Sequence, residues 1–369
     1  MGKKENLKYE YWLSGMIRLS AKKKFMLKER MKTAEEIYYI EETQLKELDF
    51  LTDAEKEALG RAKETDPEKL YEETEKKGIR LILHCSERYP SRLRDIPDPP
   101  YALYVKGNLP SEEGKKAAVI GARKCTPYGE KYAVEFAKHL AEHGVEIISG
   151  LARGIDGMGQ RGALMGRGRT FAVLGSGVDV CYPREHIGLY TDLLGGGGGI
   201  LSEYPPGTSP LPRNFPARNR IISGLSDAVL VMEAGEKSGS LITVDMALEQ
   251  GRDVYALPGP INSSLSVGCN RLIQQGAGIL ISPENLLDEW GIQKESGLQK
   301  KAKNKKILAT PENLLYSCLD LYPKNLEQLS EETGLETRVV VRLLVSLELQ
   351  GYVREISKNQ YVIAADHSC

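Results

Sequence analysis

Paired cysteine motifs are missing from this sequence. Its six cysteines (Cys85, Cys125, Cys181, Cys269, Cys318 and Cys369) are scattered, with no C-x-x-C among them. That argues against a disulfide frame or a zinc site and leads us to expect reduced, buried thiols in a cytosol. Long apolar runs are absent too: none approaches the roughly 18 residues that a membrane span needs. The start, MGKKENLKYEYW, is basic but has no apolar h-region, so no secretory signal is expected and the chain is expected to be cytoplasmic. There is no excess charge of either sign: 50 Lys and Arg stand against 51 Asp and Glu, a net charge of −1. Any polyanionic partner must therefore be met by local clusters of arginine. Histidine is scarce, with five residues, none in the glycine-rich loops described below. His186 comes nearest and is expected to be a surface residue at a helix start. His84 and Cys85 are adjacent in an expected strand, so their side chains point to opposite faces and do not share a metal.

Glycine is abundant, and its placement is informative. Short apolar runs at 117–120, 146–149 and 171–174 have the texture of buried parallel strands and stop abruptly at Gly121, Gly150 and Gly175. Glycine straight after such a strand permits a tight turn and a close backbone approach to a ligand. Further strands are expected at 199–202, 228–232, 254–257 and 278–281. Between them, Ala133, Phe136, Ala137 and Leu140 form an i, i+3, i+4, i+7 helical face. Leu241, Val244, Met246, Ala247 and Leu248 mark another helix, closed by Gly251. This alternation predicts a doubly wound α/β sheet over residues 77–290.

The flanking regions differ in texture. Residues 1–76 are predicted to be a small helical domain, with Thr33 and Glu36 as a capping box. The segment from Arg80 to 108 is expected to hold two strands around a proline-rich turn at Pro97, Pro99 and Pro100. Residues 291–307 are polar and basic and are expected to be a linker. Residues 308–366 predict helices at 313–321, 326–333 and 336–350, then a hairpin at 352–356 and 361–364, the pattern of a winged helix. Its helix at the recognition position is rich in Val and Leu, with Arg338 and Arg342 its few basic residues. That composition suits protein contact at least as well as reading a DNA groove.

The chemistry gathers at the strand exits: GARKCTPYG (121–129), GLARGID (150–156), GSGVDVCYPRE (175–185), EYPPGTSPLPRNFPARNR (203–220) and EAGEKSGS (233–240). Exposed backbone N–H groups near helix starts favour anions. The first four loops also carry Arg123, Arg153, Arg184, Arg213, Arg218 and Arg220, whose planar forks suit phosphate oxygens. Loops on one sheet edge would converge into a basic groove. The competing reading has these arginines paired with nearby carboxylates. G-x-G-x-x-G is absent from the first exit, and no acidic residue closes the second strand, which disfavours ordinary dinucleotide binding. A P-loop and a G-x-S-x-G elbow are absent as well. Asp156, Asp179 and Glu203 are candidate general acids, more readily explained as caps or arginine partners.

Together these loops closely resemble the DNA-processing protein A family, DprA, also called Smf. The matching segments run in order from 89 to 290: GARKCTPYG, ISGLARGIDGMGQRGAL, AVLGSGVDVCYP, LSEYPPG, FPARNRIISGLS, EAGEKSGSLIT and GCNRLIQQGA. The resemblance implies an extended Rossmann-like single-stranded DNA-binding domain, a SAM-like or helix-hairpin-helix-like N-terminal domain and a C-terminal winged helix. It further implies a non-enzymatic protein, without a cofactor, that protects single strands in natural transformation and helps to load the RecA recombinase. Carried over residue by residue, the DNA site comprises Gly121, Ala122, Arg123 and Lys124; Gly150, Arg153 and Gly154; Gly175, Gly177 and Arg184; Arg218, Asn219 and Arg220; and Ser238, Gly239 and Ser240. A homodimer is implied through late helices near 241–249 and 270–275. The chain departs from the family pattern at Gly159–Gln160, where alanine-histidine is expected. The run of five glycines at 195–199 is expected to be a flexible connection. The alternative is a Rossmann-like nucleotide-binding or phosphoribohydrolase-type enzyme, whose P-G-G-x-G-T-x-x-E motif is similar to EAGEKSGSLIT. Here Ser240 falls at the threonine and Thr243 at the catalytic glutamate, and a hydroxyl does not replace a carboxylate as a base at neutral pH.

Overall fold

The computed structural model describes residues 7–292, 310–319 and 323–364. The chain forms two units, Met1–Lys124 with Ala133–Ile292, and Cys125–Tyr132 with Gln293–Cys369.

In the first unit the apolar runs become strands: β3 (Lys116–Ile120), β4 (Glu146–Ser149), β5 (Thr170–Val173), β6 (Gly199–Ser202), β7 (Ala228–Val231), β8 (Asp253–Ala256) and β9 (Gly278–Ile279). Every residue of β3 to β7 is buried, as expected of parallel strands covered on both faces. Two more strands, β1 (Ile79–Leu83) and β2 (Ala102–Gly107), lie around the proline-rich turn. The sheet order is β1-β2-β6-β5-β4-β3-β7-β8-β9. Pairing is parallel from β6 to β9, and β1 and β2 extend the sheet antiparallel beyond β6. The direction of winding reverses between β3 and β7, so the crevice of this α/β sheet opens outside the carboxyl ends of those two strands.

The N-terminal helices pack on this sheet rather than apart from it. They are α1 (Leu7–Gly15), α2 (Ala21–Met31), α3 (Ala34–Tyr38), α4 (Glu42–Lys46), α5 (Asp53–Ala62) and α6 (Pro67–Lys76). Tyr11, Trp12, Leu13 and Leu27 share one core with Tyr104, Leu174 and Ile200 of the sheet. The Tyr11 hydroxyl donates to Glu75 at 2.5 Å and accepts from the Leu81 N–H at 3.1 Å, tying α1 to α6 and β1. Only half of the expected box at Thr33 forms, with the Thr33 hydroxyl accepting from the Glu36 N–H. A full capping box stands instead at Thr52 and Glu55.

Lys24 of α2 is buried beneath this layer, donating to the Ser14 carbonyl at 2.8 Å. Burial lowers its pKa to about 8, and the negative charge of Glu203 only partly opposes the shift. Between about pH 8 and 10 the unfolded chain holds a proton that the folded chain has released, so this lysine makes stability rise with pH. We expect Lys24→Met to lose that contribution. Relative to wild type, the variant should forfeit roughly 2–3 kcal/mol between pH 7 and 10. Urea unfolding of both proteins across that range measures the difference. The buried Cys269 thiol, which burial pushes up to about 12, acts in the opposite direction but equally in both proteins.

Three local expectations need correction. His84 and Cys85 lie in the turn after β1, not in a strand. The thiols are free as expected, but only Cys269 is buried among those described, and Cys85 is exposed. The five-glycine run is no loose connection. It ends α9 (Ile187–Gly195) and enters β6, with Gly198 and Gly199 buried. A Cβ on Gly199 would stand 1.8 Å from the Asn108 carbonyl oxygen, and one on Gly198 would stand 2.0 Å from that of Thr170. Glycine is required there because two backbones touch.

The second unit contains α14 (Thr310–Cys318), β10 (Lys324–Asn325), α15 (Leu326–Thr333), α16 (Thr337–Leu349), β11 (Val353–Ser357) and β12 (Gln360–Ile363). Leu315, Leu329, Val340, Leu344, Leu347 and Val353 form its core. The predicted helices and hairpin are present, and the two-residue β10 completes a sheet in the order β10-β12-β11. This is a winged helix. Apart from Gly291 and Ile292, the expected linker at 291–307 falls outside the described residues.

Candidate functional site

The exits of β3, β4, β5, β6 and β7 all lie at the carboxyl edge of the parallel strands, and they converge. A cleft of about 400 Å³ opens there. The β3 exit supplies Gly121 and Arg123 to its wall, the β4 exit Ala152 and Asp156, and the β5 exit Tyr182. The β6 exit contributes Pro210, Pro212 and Phe215, followed by Arg218 and Asn219 of α10 (Asn214–Leu225). Ser238, Gly239 and Ser240 close the cleft at the start of α11 (Gly239–Glu249), where the Ser238 hydroxyl caps the helix by accepting from the Ser240 N–H.

The arginines of the strand exits, of which Arg123 and Arg218 line the cleft, divide into two sets. Arg123, Arg184 and Arg213 are exposed, as is Lys124, and no carboxylate among the described residues pairs with any of them. The Arg123 guanidinium lies 5.5 Å from the centroid of the Phe215 ring. The Phe215 ring in turn lies 5.7 Å from that of Tyr182, tilted by 35°. A cation and two aromatic faces thus line one wall. Arg153 is exposed but is paired with Glu185.

Arg218 and Arg220 point inward. Arg218 is buried against Gly150 and donates to the Val173 carbonyl. Burial lowers its pKa to about 10, and the buried Asp156 carboxylate opposes that shift. Burial raises the Asp156 pKa, while Arg218 and the Gly150 N–H, at 3.0 Å, hold it down. The two groups are buried compensating charges at the cleft floor. Arg220 does not line the cleft. Its guanidinium donates to both Glu203 oxygens at 2.9 and 2.8 Å, and its Nε donates to the Asp98 carbonyl at 2.8 Å. The reading in which arginines pair with nearby carboxylates therefore applies to Arg153 and Arg220 and not to Arg123 or Arg184.

The remaining expected positions act through the backbone. The Ala122 N–H donates to the Glu233 carbonyl at 2.8 Å, and its own carbonyl accepts from the Ile155 N–H at 3.2 Å. Gly154 has φ of 70°, and a Cβ on it would stand 2.2 Å from the Ala122 carbonyl oxygen. Gly175 lies under Phe215 and accepts from the Asn214 amide at 2.9 Å. Gly177 is buried beneath Pro205 and Gly207. Arg184 opens a turn that ends at His186. That histidine is buried, contrary to expectation, with Nδ1 3.0 Å from the Leu151 carbonyl oxygen. The departure at Gly159–Gln160 lies inside α8 (Ile155–Met165). Gly159 packs on Val119, and the buried Gln160 amide donates to the Phe171 carbonyl at 3.2 Å. Sequence reasoning did not assign Ile242 or the prolines at 210, 212 and 216 to the wall, although the proline-rich texture of the β6 exit marked an irregular, exposed loop.

The candidate acids are engaged as well. Asp179 accepts from the Gly207 N–H at 2.7 Å and pairs with Lys77 at 2.9 Å. Thr243, at the position of a catalytic glutamate in phosphoribohydrolases, is buried in the cleft wall. No cluster of His, Cys, Asp or Glu among the described residues is arranged to hold a metal. No helix among them is long and apolar enough to cross a membrane.

Comparison with known proteins accords with this geometry. A family model described as DNA recombination-mediator protein A matches residues 80–291, and one described as the DprA winged helix domain matches residues 299–357. Protein Smf of Escherichia coli K12 is 42% identical over 283 residues, 75% of each chain. DNA processing protein DprA of Streptococcus pneumoniae R6 is 47% identical over 202 residues, 55% of this chain and 71% of that one. The X-ray structure of DNA processing protein A from Streptococcus pneumoniae superposes with a TM-score of 0.67 at 36% identity, covering 76% of this chain and 97% of that chain. A structure of DNA processing protein A from Helicobacter pylori, described for its single-stranded DNA binding mode, gives 0.51 at 30% identity over 57% of this chain and 95% of that one. The ordered loops, the mixed sheet and the winged helix agree with the matched models, and this chain belongs to the DNA recombination-mediator protein A (DprA/Smf) family.

Proposed function

We propose that this chain binds single-stranded DNA across the cleft at the β3/β7 crevice, and that it protects the strand and helps to load a RecA-type recombinase during natural transformation, with no covalent chemistry of its own. The observation that carries the proposal is Arg123 on a cleft wall that also presents Phe215 and Tyr182, with Arg184 and Arg213 exposed on neighbouring strand exits, none of the three paired with a carboxylate among the described residues. Phosphates would meet the guanidinium forks and the loop N–H groups, including those near Ser238, Gly239 and Ser240. Unstacked bases would meet the aromatic faces, which duplex DNA does not offer. The single-strand binding described for the Helicobacter pylori relative supports the assignment. A non-enzymatic role is supported by the internal engagement of Asp156, Asp179 and Glu203 and by Thr243 standing where a glutamate is needed. Homodimerisation through α11 is supported by the exposure of Leu248, which does not line the cleft. A cytoplasmic location suits all of these roles.

Fluorescence anisotropy with a labelled oligonucleotide tests the proposal. The logarithm of affinity for a single strand changes with that of salt by about −0.7 per phosphate neutralised. With three or four cationic contacts, affinity should fall roughly 15- to 60-fold between about 50 and 200 mM salt. A matched duplex should bind at least about tenfold more weakly. Salt-independent binding, or equal binding of the duplex, would refute the proposal. Release of free base from a nucleoside monophosphate would favour the enzymatic alternative.

A further inference from the structure

The winged helix places α16 where such folds commonly present a recognition helix to DNA. Residues 310–366 contain five Lys and Arg but nine Asp and Glu, a net charge of −4. A polyanion-binding module needs the opposite balance. The inward face of α16 (Val340, Leu343, Leu344 and Leu347) is spent on the core. Its outward face carries Val341, Val345 and Leu349, exposed by 38, 51 and 85%. These three are spaced four residues apart and so form one straight ridge along the helix. They offer no hydrogen-bonding atom with which to read base edges.

One row beside the ridge runs Arg338, Arg342, Ser346 and Gln350, each four residues from the next. Its C-terminal half is engaged internally, with the Ser346 hydroxyl and the Gln350 amide turned to Glu312 of α14 at 2.7 and 3.5 Å. Its N-terminal half, Arg338 and Arg342, is exposed and pairs with no carboxylate among the described residues. On the opposite side of the ridge the Glu348 carboxylate accepts from the Glu355 N–H at 3.0 Å. The stretch 291–307 cannot complement the two arginines, because it is itself basic.

We infer that this face of α16 docks another protein through a short amphipathic segment that is apolar on one side and acidic beside it. The apolar side would cover Val341, Val345 and Leu349, and its carboxylates would meet Arg338 and Arg342. An apolar ridge with an unpaired pair of arginines along one side fits helix-in-groove or helix-on-helix recognition and sets both register and sign. In this fold the position usually given to DNA is then a protein-binding position.

The test uses the full chain and two short fluorescein-labelled helical peptides. Both carry leucines at i, i+3, i+4 and i+7; one has glutamate at the other positions and its counterpart has lysine. We expect the acidic peptide to bind and the basic one to bind at least about tenfold more weakly. Val345→Asp should weaken the acidic peptide by about tenfold or more, because it places a carboxylate in an apolar contact. Arg338→Glu with Arg342→Glu should weaken it severalfold at low salt and less at high salt. Val345→Asp substitutes an exposed residue, so its circular dichroism and single-strand binding should match wild type. Failure of the acidic peptide to bind, equal binding of both peptides, or indifference to Val345→Asp would overturn the inference. Duplex binding that is lost in the double arginine variant would assign α16 to DNA instead.

Discussion

Single-strand binding is expected to weaken by about a hundredfold or more at physiological salt when Arg123 and Arg184 are both replaced by alanine. Hydrogen bonds to charged groups contribute about 1.5–3 kcal/mol each, and the variant removes at least two. Neither side chain pairs with a carboxylate among the described residues, so its charge is fully available to phosphate. Both sit on the surface, and their loss creates no cavity. The salt slope should shrink by about 1.4, from two phosphate contacts at about 0.7 each. Arg153→Ala is the internal comparison: its guanidinium is already paired with Glu185, and its removal should cost far less. Anisotropy on the three proteins, with circular dichroism to verify folding, decides the matter. Undiminished binding by the double variant would move the DNA site off the strand exits.

A second large effect concerns stability. Arg218→Met should lower it by about 3–5 kcal/mol, the usual cost of leaving one buried charge without its partner. For a chain of this size that is about 4–6 °C in melting temperature. The loss should depend on pH in a definite direction. Burial already raises the Asp156 pKa, and removing the Arg218 charge, which holds it down, raises it further. The folded variant would then hold a proton that the unfolded chain has released, over the interval from the ordinary aspartate pKa of about 3.9 up to the raised value. Its stability should fall as pH rises through that interval, and further than that of wild type, so the deficit grows as pH rises above the ordinary aspartate range. Asp156→Asn in the same background should restore a substantial part of the loss, because the amide oxygen can still accept from the Gly150 N–H. Strict additivity of the two substitutions, read by thermal unfolding, would mean that packing rather than charge compensation explains Arg218.

These expectations depend on which arginines face outward, and the sequence did not disclose that. Strand positions were legible because fully buried parallel strands leave a signature of uninterrupted apolar residues: 199–202 coincides with β6, and 146–149 with β4. The convergence of the loops followed from the same pattern. The orientation of Arg218 and Arg220 did not. Two positions apart on a helix they point in opposed directions, and periodicity would bury at most one. Both are buried because α10 is covered on two sides, by the sheet and Gly150 at Arg218 and by Asp98 and Glu203 at Arg220. His186 and the glycines at 198 and 199 were misjudged for a related reason. Each is fixed by a contact with a backbone distant in sequence, at Leu151, Thr170 and Asn108, and local composition carries no trace of such contacts. The strand β10 is two residues long, too short for any periodic signal.

Ala122 has a consequence for how a strand would be held. Its N–H is bonded to the β7 exit and its carbonyl to the first residue of α8, so the three loops that carry Arg123, Arg153 and Ser238 are stitched through one residue. A binding surface assembled from independent loops must surrender their conformational freedom when it closes on a ligand, and each ordered segment subtracts from affinity. Here that freedom is surrendered during folding. In the proposed role the protein acts as the rigid partner, and the nucleic acid, the more flexible of the two polymers, makes the adjustment. The entropy lost on association then falls mainly on the DNA, so changes in oligonucleotide stiffness should alter affinity more than changes in the loops that surround Ala122.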